Sequence, residues 1–599
     1  MHNMAKNAMA AHIFVHKHLH NVHNLCTFVL LNHDVTIKKT VVYIMLLPES
    51  FNEALAQSVK NNWNRNSMSD YGEATFQYKD VARNIAKLHI MFERAGIRPG
   101  DKIALCGRNQ ARWGIAFLAT LTYGAVAVPI LHDFHSEQIH QIVNHSEASL
   151  LFVGEQIWKR IDAKEMPALK GILCNQYYEV LFARDATLTE TRKQLNRLFG
   201  EKYPDSFRPE HICYHKDSRE ELALINYTSG TTSNSKGVMI PYRAIWSNTQ
   251  FGCDVLADIL APGEQVLSML PMAHMYGMAF EFLYEFVRGL HISFLTKMPT
   301  PAILLKALAD IKPRIIICVP LILEKIVRRA VLPKIKDPKI RLLMNIPIVG
   351  DQIKQRICQG MQNALGGNFY EVIVGGAAIN AEIEALLKDI GFNYTVGYGA
   401  TECAPILAYE DWQRFAMGSC GKAAPRMKLK IDSPKPQEIP GEILAQGDNV
   451  MLGYFKNPEA TAETIIDGWY HTGDLGIIDA EGNVYIKGRC KNMLLGANGQ
   501  NIYPEEIEDK LSSMPMVQEC VVIQKGEKLY ALIYPDMEQA KSLNLGEAEL
   551  KSIMEQNRKD LNTQIPAYEQ ICGIRIMEEE FEKTPKRSIK RFLYMNAEV

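Results

Sequence analysis

The chain has 599 residues, with Lys+Arg 66 against Asp+Glu 67, a net charge of -1, 47% hydrophobic and 22% charged residues. That length suits several domains, the composition suits a globular protein, and the lack of an overall basic field excludes nucleic acid as an expected partner. The 12 cysteines are scattered and form no Cys-x-x-Cys pair, which fits reduced, mostly buried thiols of a cytosolic protein rather than a disulfide framework or a zinc site.

Residues 1–44 differ from the rest. His2, His12, His16, His18, His20, His23 and His33 lie there, seven of the 17 histidines. Metal-binding tracts use such residues, but this spacing matches no zinc pattern. The expectation is a disordered leader, or an upstream extension with Met45 as the natural start. The apolar stretch 25–31 is short and lacks a small-residue cleavage site, so it is a poor signal peptide.

From Phe51 the pattern becomes regular. Val81, Ile85, Leu88, Phe92 and Ala95 recur at helical spacing, and Gly96 ends that helix. Pro99-Gly100-Asp101 then turns into the strand Lys102-Ile103-Ala104-Leu105-Cys106, a helix–turn–strand unit of an α/β domain. Residues 113–131 carry no charge and approach the length of a membrane span. Gly124 interrupts them and residues 125–130 read as a strand. A buried helix followed by a buried strand is therefore expected, and an integral membrane protein is not.

Leu222-Ala223-Leu224-Ile225 reads as a short buried strand leading into Tyr227-Thr228-Ser229-Gly230-Thr231-Thr232-Ser233-Asn234-Ser235-Lys236-Gly237-Val238. Such a loop offers hydroxyls, backbone N–H groups and one ammonium to a polyphosphate. No Gly-Lys-Ser/Thr triplet closes it, so it is not a Walker A loop; an ordinary polar surface loop has the same composition. Further on, Leu270-Pro271-Met272-Ala273-His274-Met275-Tyr276-Gly277 lies within a run that places Met269, Met272, Met275 and Met278 every third residue. Helical core packing is the expected reading of that spacing, with a soft wall for an apolar ligand as the alternative. Ile315-Ile316-Ile317-Cys318-Val319-Pro320 reads as a strand before a helix carrying Arg328-Arg329, with Lys334, Lys336, Lys339 and Arg341 nearby. A solvated charged face is the default for these, and a peripheral contact with anionic lipid the alternative.

Val372-Ile373-Val374-Gly375-Gly376-Ala377-Ala378 is a strand running into a glycine turn, followed by Tyr394-Thr395-Val396-Gly397-Tyr398-Gly399-Ala400-Thr401-Glu402. Tyr398 can offer a flat face to a purine, and Glu402 can hold Mg²⁺ together with phosphate oxygens. In Trp469-Tyr470-His471-Thr472-Gly473-Asp474-Leu475-Gly476, an aspartate held by a Thr-Gly turn can accept from both hydroxyls of a ribose; a plain hairpin-turn aspartate is the ordinary alternative. Lys487-Gly488-Arg489-Cys490-Lys491-Asn492 and Gly499-Gln500-Asn501-Ile502-Tyr503-Pro504-Glu505-Glu506-Ile507-Glu508 follow. Residues 520–523 and 529–534 read as strands and residues 547–561 as a charged helix.

These motifs, in this order, resemble those of the adenylate-forming enzymes: acyl-CoA synthetases, luciferases and adenylation domains. The resemblance runs from about residue 51 to the end. It implies an α/β fold, with a large N-terminal ATP- and acyl-binding domain of sheets flanked by helices over residues 45–488. A small mobile α+β lid over residues 489–599 would follow, hinged near Lys491. It implies that Thr228, Ser229, Gly230, Thr231, Thr232 and Lys236 hold ATP phosphates. Gly376, Ala377, Ala378, Gly397, Tyr398 and Thr401 would line the nucleotide, and Asp474 and Arg489 would hold its ribose. Glu402 with Thr228 would hold Mg²⁺, and His274 would lie beside the carboxylate substrate.

Two departures stand out. Ser233-Asn234-Ser235-Lys236-Gly237 replaces the usual Gly-x-Pro-Lys-Gly, and Ser588 falls where the family has a lysine that neutralises charge in adenylation. Lys590, or else Lys586, is expected to take over that role. Within the family the chain is most similar to AMP-forming long-chain fatty acyl-CoA ligases, through Val319-Pro320 ahead of Glu324-Lys325-Ile326 and through residues 501–508. The implied substrates are a fatty acid, ATP and coenzyme A. A ligase loading an acyl carrier protein is the enzymatic alternative, and an acyl- or nucleotide-binding protein without turnover the alternative of another class. The expected location is cytoplasmic, with at most a peripheral contact at the inner face of the membrane.

Overall fold

A computed structural model describes residues 48–228, 235–297, 300–335, 337–344, 346–496, 500–526, 528–584 and 589–598. The amphipathic pattern over residues 81–95 becomes the helix Tyr78–Arg94, which buries Val81, Ile85, Leu88 and Phe92. The apolar run that follows forms the strand Lys102–Cys106, the helix Ala111–Tyr123 and the strand Val126–Ile130. That helix stops where Gly124 takes φ 85, the left-handed conformation of a helix C-terminus. A Cβ there would also sit 2.8 Å from the His215 ring. No helix among the described residues is long and apolar enough to cross a membrane.

These elements belong to an eight-stranded sheet. Its order runs Gly453–Tyr454, Gly237–Pro241, Leu222–Tyr227, Val126–Ile130, Lys102–Cys106, Ala148–Val153, Gly171–Cys174, Val180–Ala183. The strands from Leu222–Tyr227 to Gly171–Cys174 pair in parallel and the outer pairings are antiparallel. Every residue of Val126–Ile130 is buried, the composition that a parallel strand covered on both faces requires.

Two smaller sheets pack into the same core. One orders Gln265–Ser268, His291–Phe294, Asn66–Asp70 and Thr75–Gln77; the other is the parallel set Ile315–Cys318, Glu371–Val374 and Tyr394–Val396. An antiparallel sheet built around Gly441–Gly447, Trp469–Ile478 and Val484–Arg489 follows. The last sheet, Val517–Lys525, Lys528–Pro535 and Ile571–Ile576, has its own apolar core, with Ile507, Leu511, Val522, Ile533 and Leu561 packed together. The helix Glu547–Asn562 lies against it. A large α/β domain followed by a small α+β domain is thus the architecture expected from the motifs.

One local expectation is corrected. The four methionines at every third residue do not share a helix. The strand Gln265–Ser268 ends before Met269, Pro271 interrupts the segment, and the helix begins only at Met275. All four side chains are buried, but Met269 and Met275 face the cleft described below, so the spacing reflects a turn followed by a helix start.

Candidate active site

The strands Leu222–Tyr227 and Gly237–Pro241 pair with Tyr227 opposite Gly237, and the amide of Thr228 donates to the Lys236 carbonyl at 3.0 Å. This closes the neck of the Ser/Thr-rich loop. Ser229, Gly230, Thr231 and Thr232 lie outside the described residues; Thr228 and Lys236 line a cleft of ≈ 2870 Å³. The Lys236 ammonium stands 4.6 Å from the centre of the Tyr454 ring, and the Tyr454 hydroxyl donates to Glu402 Oε1 at 3.0 Å. Lys236, Tyr454 and Glu402 therefore form one run along the cleft wall.

Glu402 sits on a short 3₁₀ turn, Thr401–Cys403. Buried Asn248 braces that turn from behind. Its Nδ2 donates to the Cys403 carbonyl at 3.3 Å, and its Oδ1 accepts from the Ile406 amide at 3.0 Å. Glu402 and Thr228 offer one carboxylate and one hydroxyl to the same cleft. That donor set fits a hard cation that draws most of its ligands from phosphate and water. Among the described residues no group of three His, Cys, Asp or Glu side chains forms a metal site of its own.

Asp474 lies within the strand Trp469–Ile478, opposite Arg489, and not in a hairpin turn. The preceding Gly473 takes φ 71, a left-handed kink beside a break in the strand register. Asp474 is 5% exposed. Its Oδ2 accepts from the Tyr398 hydroxyl at 2.6 Å and its Oδ1 from Arg489 Nε at 2.8 Å. Burial pushes this carboxyl above its usual range, while the Arg489 charge and the Tyr398 hydroxyl pull it back. Tyr398 and Arg489 line the cleft, with Asp474 directly behind them. Burial also raises the Tyr398 hydroxyl well above its ordinary value, so it stays a donor.

Gly375, Gly376, Ala377 and Ala378 follow the strand Glu371–Val374 and line the same cleft, as do Gly397 and Thr401. A Cβ on Gly375 would lie 2.9 Å from the Tyr276 ring, so only glycine lets that ring pack there. The Tyr276 hydroxyl donates to the Ile373 carbonyl at 3.1 Å. His274 starts the helix Met275–Met278, its Nδ1 accepting from the Tyr276 amide at 3.3 Å, and faces the cleft. Phe251, Val255, Leu256, Phe280, Ile406 and Tyr409 continue the lining as an apolar wall.

Three residues that carry this arrangement belong to no motif recognised in the sequence. Tyr454 and Asn248 act only through tertiary contacts. Glu281 is buried in a π-helical stretch, and its Oε2 accepts from the amides of Met269 and Leu270 at 2.9 and 2.7 Å, anchoring the segment that leads to His274. Burial pushes the Glu281 carboxyl well above the usual carboxylate range.

On the C-terminal side, Lys491 is exposed on the 3₁₀ turn Cys490–Asn492 and lines the cleft. The helix Pro504–Ser512 holds to its neighbours through Asn492 to Glu505 at 2.6 Å, Lys487 to Glu506 at 3.0 Å, and Asn380 to Ser513 at 2.8 Å. Lys590 is paired with Glu582 and is not among the cleft-lining residues, although its neighbours Ile589 and Arg591 are. Lys586 and Ser588 lie outside the described residues, as do the histidines of residues 1–44.

Residues 55–455 match the AMP-binding enzyme family, and residues 491–597 match the AMP-binding enzyme C-terminal domain. The Long-chain-fatty-acid--CoA ligase FadD15 of Mycobacterium bovis is 27% identical over 456 residues, covering 72% of this chain and 72% of that protein. The Feruloyl-CoA synthase of an Amycolatopsis species is 27% identical over 461 residues, covering 76% of this chain and 81% of that one. Among solved structures, the anthranilate CoA ligase AuaEII in complex with anthranoyl-AMP shares the fold with a TM-score of 0.72 at 21% identity, over 92% of this chain and 98% of that one. The chain belongs to the AMP-binding enzyme family, within the adenylate-forming superfamily that its motifs resemble.

Proposed function

We propose that the protein is an AMP-forming ligase that activates a long-chain fatty acid with ATP and transfers the acyl group to coenzyme A. The observation that carries this reading is the meeting, in one cleft, of three features. They are the Lys236–Tyr454–Glu402 run, the Asp474 carboxylate behind Tyr398 and Arg489, and the apolar wall beyond His274.

A fatty-acid carboxylate oxygen attacks the α-phosphorus of ATP and pyrophosphate leaves. The sulfur of coenzyme A then attacks the acyl carbonyl carbon and AMP leaves, taking the former carboxylate oxygen with it. The chain contributes position and charge, with no covalent enzyme intermediate. Thr228 and the loop it opens hold the phosphates, and the Lys236 ammonium turns from the Tyr454 ring toward them. Asp474 keeps spare lone pairs beside those used by Tyr398 and Arg489, and these accept the ribose hydroxyls. Glu402 and Thr228 would hold Mg²⁺, which neutralises phosphate charge when bound. His274 stands beside the carboxylate. Lys590, or Lys586, supplies the positive charge that Ser588 cannot. Lys491 is the pivot between the large domain and a lid spanning residues 489–599, and the reaction is cytoplasmic.

Apolar lining from the helices Tyr242–Leu256, Pro301–Ile311 and Pro320–Ala330 and the strand Ile406–Tyr409 supports a long alkyl substrate. The second reading is an aromatic acid, favoured by Phe251, Phe280 and Tyr409 in that wall. The experiment is pyrophosphate release across a fatty-acid length series with ferulate alongside, each with coenzyme A, with a carrier protein, and with neither. Long-chain acids should give the highest kcat/KM, and acyl-CoA should form. Turnover confined to ferulate would reject the fatty-acid reading. Acid-independent pyrophosphate release would reject ligation altogether.

A further inference from the structure

One imidazole touches both segments that carry Thr228 and Tyr454 to the cleft. His145 is the last residue of the helix Ser136–His145. Its Nδ1 lies 2.7 Å from the hydroxyl of Tyr227, the residue directly before Thr228. Its ring meets the Tyr227 ring edge-on at 5.8 Å and the Phe455 ring edge-on at 5.7 Å, and Phe455 directly follows Tyr454. The Phe455 amide donates to the Gly237 carbonyl at 2.7 Å, beside the Thr228–Lys236 bond that closes the neck of the Ser/Thr-rich loop. None of His145, Tyr227 and Phe455 lines the cleft, so the three act on it only through their neighbours.

Two strained turns meet around this imidazole. Glu147 and Lys456 take φ 58 and φ 54, left-handed values that residues other than Gly, Asn and Asp rarely adopt unless their surroundings hold them there. Their side chains pair at 2.8 Å, and the Lys456 ammonium also donates to the His145 carbonyl at 3.0 Å. Lys102 stands 3.8 Å from the other Glu147 oxygen. Tyr227 is buried, and burial raises its hydroxyl above its ordinary value, so it keeps its proton. Among the described residues His145 is that hydroxyl's hydrogen-bond partner. The hydroxyl therefore donates and Nδ1 accepts, which requires an imidazole unprotonated at that nitrogen. The groups that face the ring are Tyr227, Lys456 and Glu147, with Lys102 beyond Glu147. Partial burial, and then the Lys456 charge, hold the imidazole below its usual value, against the pull of Glu147. The ring is exposed enough to exchange protons with water.

We propose that His145 is a positioning residue for ATP: through Tyr227 and Phe455 it sets the spacing of Thr228 from the Lys236–Tyr454 pair, and with it the affinity for the triphosphate. A proton on Nδ1 turns this acceptor into a donor and leaves the Tyr227 proton without one, so triphosphate binding weakens as the ring is protonated. The inference rests on the ATP reading of the cleft and is independent of which acid is activated.

The test is calorimetric titration of the full chain with α,β-methylene-ATP and Mg²⁺, and separately with AMP. It compares the wild type with His145→Ala, Tyr227→Phe and His145→Asn. AMP shares the base, the ribose and one phosphate with the analogue, so the ratio of the two affinities separates phosphate positioning from general damage to the fold. His145→Ala and Tyr227→Phe should each weaken the analogue by about threefold to tenfold, the scale of one neutral hydrogen bond, and leave AMP within about twofold. His145→Asn offers an oxygen close to where Nδ1 stood and should bind the analogue as the wild type does. Asparagine does not titrate, so lowering the pH from about 7.5 to about 5.5 should reduce the wild-type ratio more than the His145→Asn ratio. In turnover, His145→Ala should raise the KM for ATP and leave the KM for the acid unchanged.

Wild-type ratios in both His145→Ala and Tyr227→Phe overturn the proposal. So does an equal loss of AMP and analogue, which would make the contact structural. A pH response as steep in His145→Asn as in the wild type also overturns it. A wild type that binds AMP but no analogue rejects the phosphate reading of the loop, and the proposal with it.

Discussion

Asp474→Asn removes one negative charge at nearly constant volume, and its effects on folding and on nucleotide binding should separate. The carboxylate accepts from Tyr398 at 2.6 Å and from Arg489 at 2.8 Å. Asparagine keeps one oxygen for Arg489, whose side chain is 59% exposed and remains hydrated. Burial already disfavours the charged form, but the asparagine amide nitrogen faces the Tyr398 hydroxyl that had donated to Oδ2, so the folded state loses about one buried hydrogen bond, roughly 1 kcal/mol. Ribose hydroxyls lose more, because they would donate to a neutral amide oxygen in place of a carboxylate. A hydrogen bond to a charged group contributes about 1.5–3 kcal/mol, and losing one such contact is about a tenfold to hundredfold weakening. Calorimetric titration of AMP measures that weakening, and thermal melting of the unliganded protein measures stability. An AMP affinity within about twofold of wild type, or a large drop in melting temperature that accounts for the whole loss, would refute the ribose role.

Four further outcomes follow from the site. Glu402→Ala should lower adenylate formation by orders of magnitude and abolish its dependence on Mg²⁺ concentration; near-wild-type pyrophosphate release would contradict the magnesium assignment. Lys590→Ala should raise the adenylation barrier by roughly 2.7–4 kcal/mol while sparing coenzyme A attack on supplied acyl-adenylate. Lys586→Ala is the control, and two normal variants would place the charge elsewhere. Lys491→Pro, which fixes φ at the proposed pivot, should depress one half-reaction far more than the other, and equal loss of both would speak for misfolding. Glu371, buried under Tyr409, has its carboxyl pushed from 4.5 up to about 7, chiefly by burial. The folded state therefore holds a proton that the unfolded chain gives up between these values, and its stability contribution is lost as pH rises through that window. Glu371→Gln should gain on wild type by up to roughly 3 kcal/mol between pH 5 and pH 8, read by melting at both; a pH-independent gap would deny the shift.

Much of the fold was readable because burial leaves local traces. The uncharged run over residues 113–131 had to be buried somewhere, and Gly124 within it supplied the left-handed turn that splits helix from strand. The nucleotide motifs were readable for a different reason. Close packing of the Tyr276 ring demands glycine at Gly375, and the residue types proposed for phosphate, purine and metal at Lys236, Tyr398 and Glu402 all stand in the one cleft. The remainder depends on partners far apart in sequence. Asn248 reaches Cys403 and Tyr454 reaches Glu402 across the domain, and no local pattern announces either contact. Glu281 looks like an isolated acid in an apolar helix until its carboxylate is seen holding two amides. The methionine spacing misled because period three arises equally from a helix and from a turn leading into one. Asp474 shows the same limit, since a Thr-Gly pair inside a kinked strand is locally indistinguishable from a hairpin turn.

The most direct test of ligation through an acyl-adenylate is the fate of the carboxylate oxygen. A long-chain fatty acid labelled with ¹⁸O in both carboxylate positions is turned over with ATP, Mg²⁺ and coenzyme A, and the AMP is weighed by mass spectrometry. Attack at the α-phosphorus predicts one ¹⁸O in each AMP formed, one ¹⁸O in the acyl-CoA, and none in pyrophosphate. AMP without label, or ADP and phosphate in place of AMP and pyrophosphate, would contradict the account.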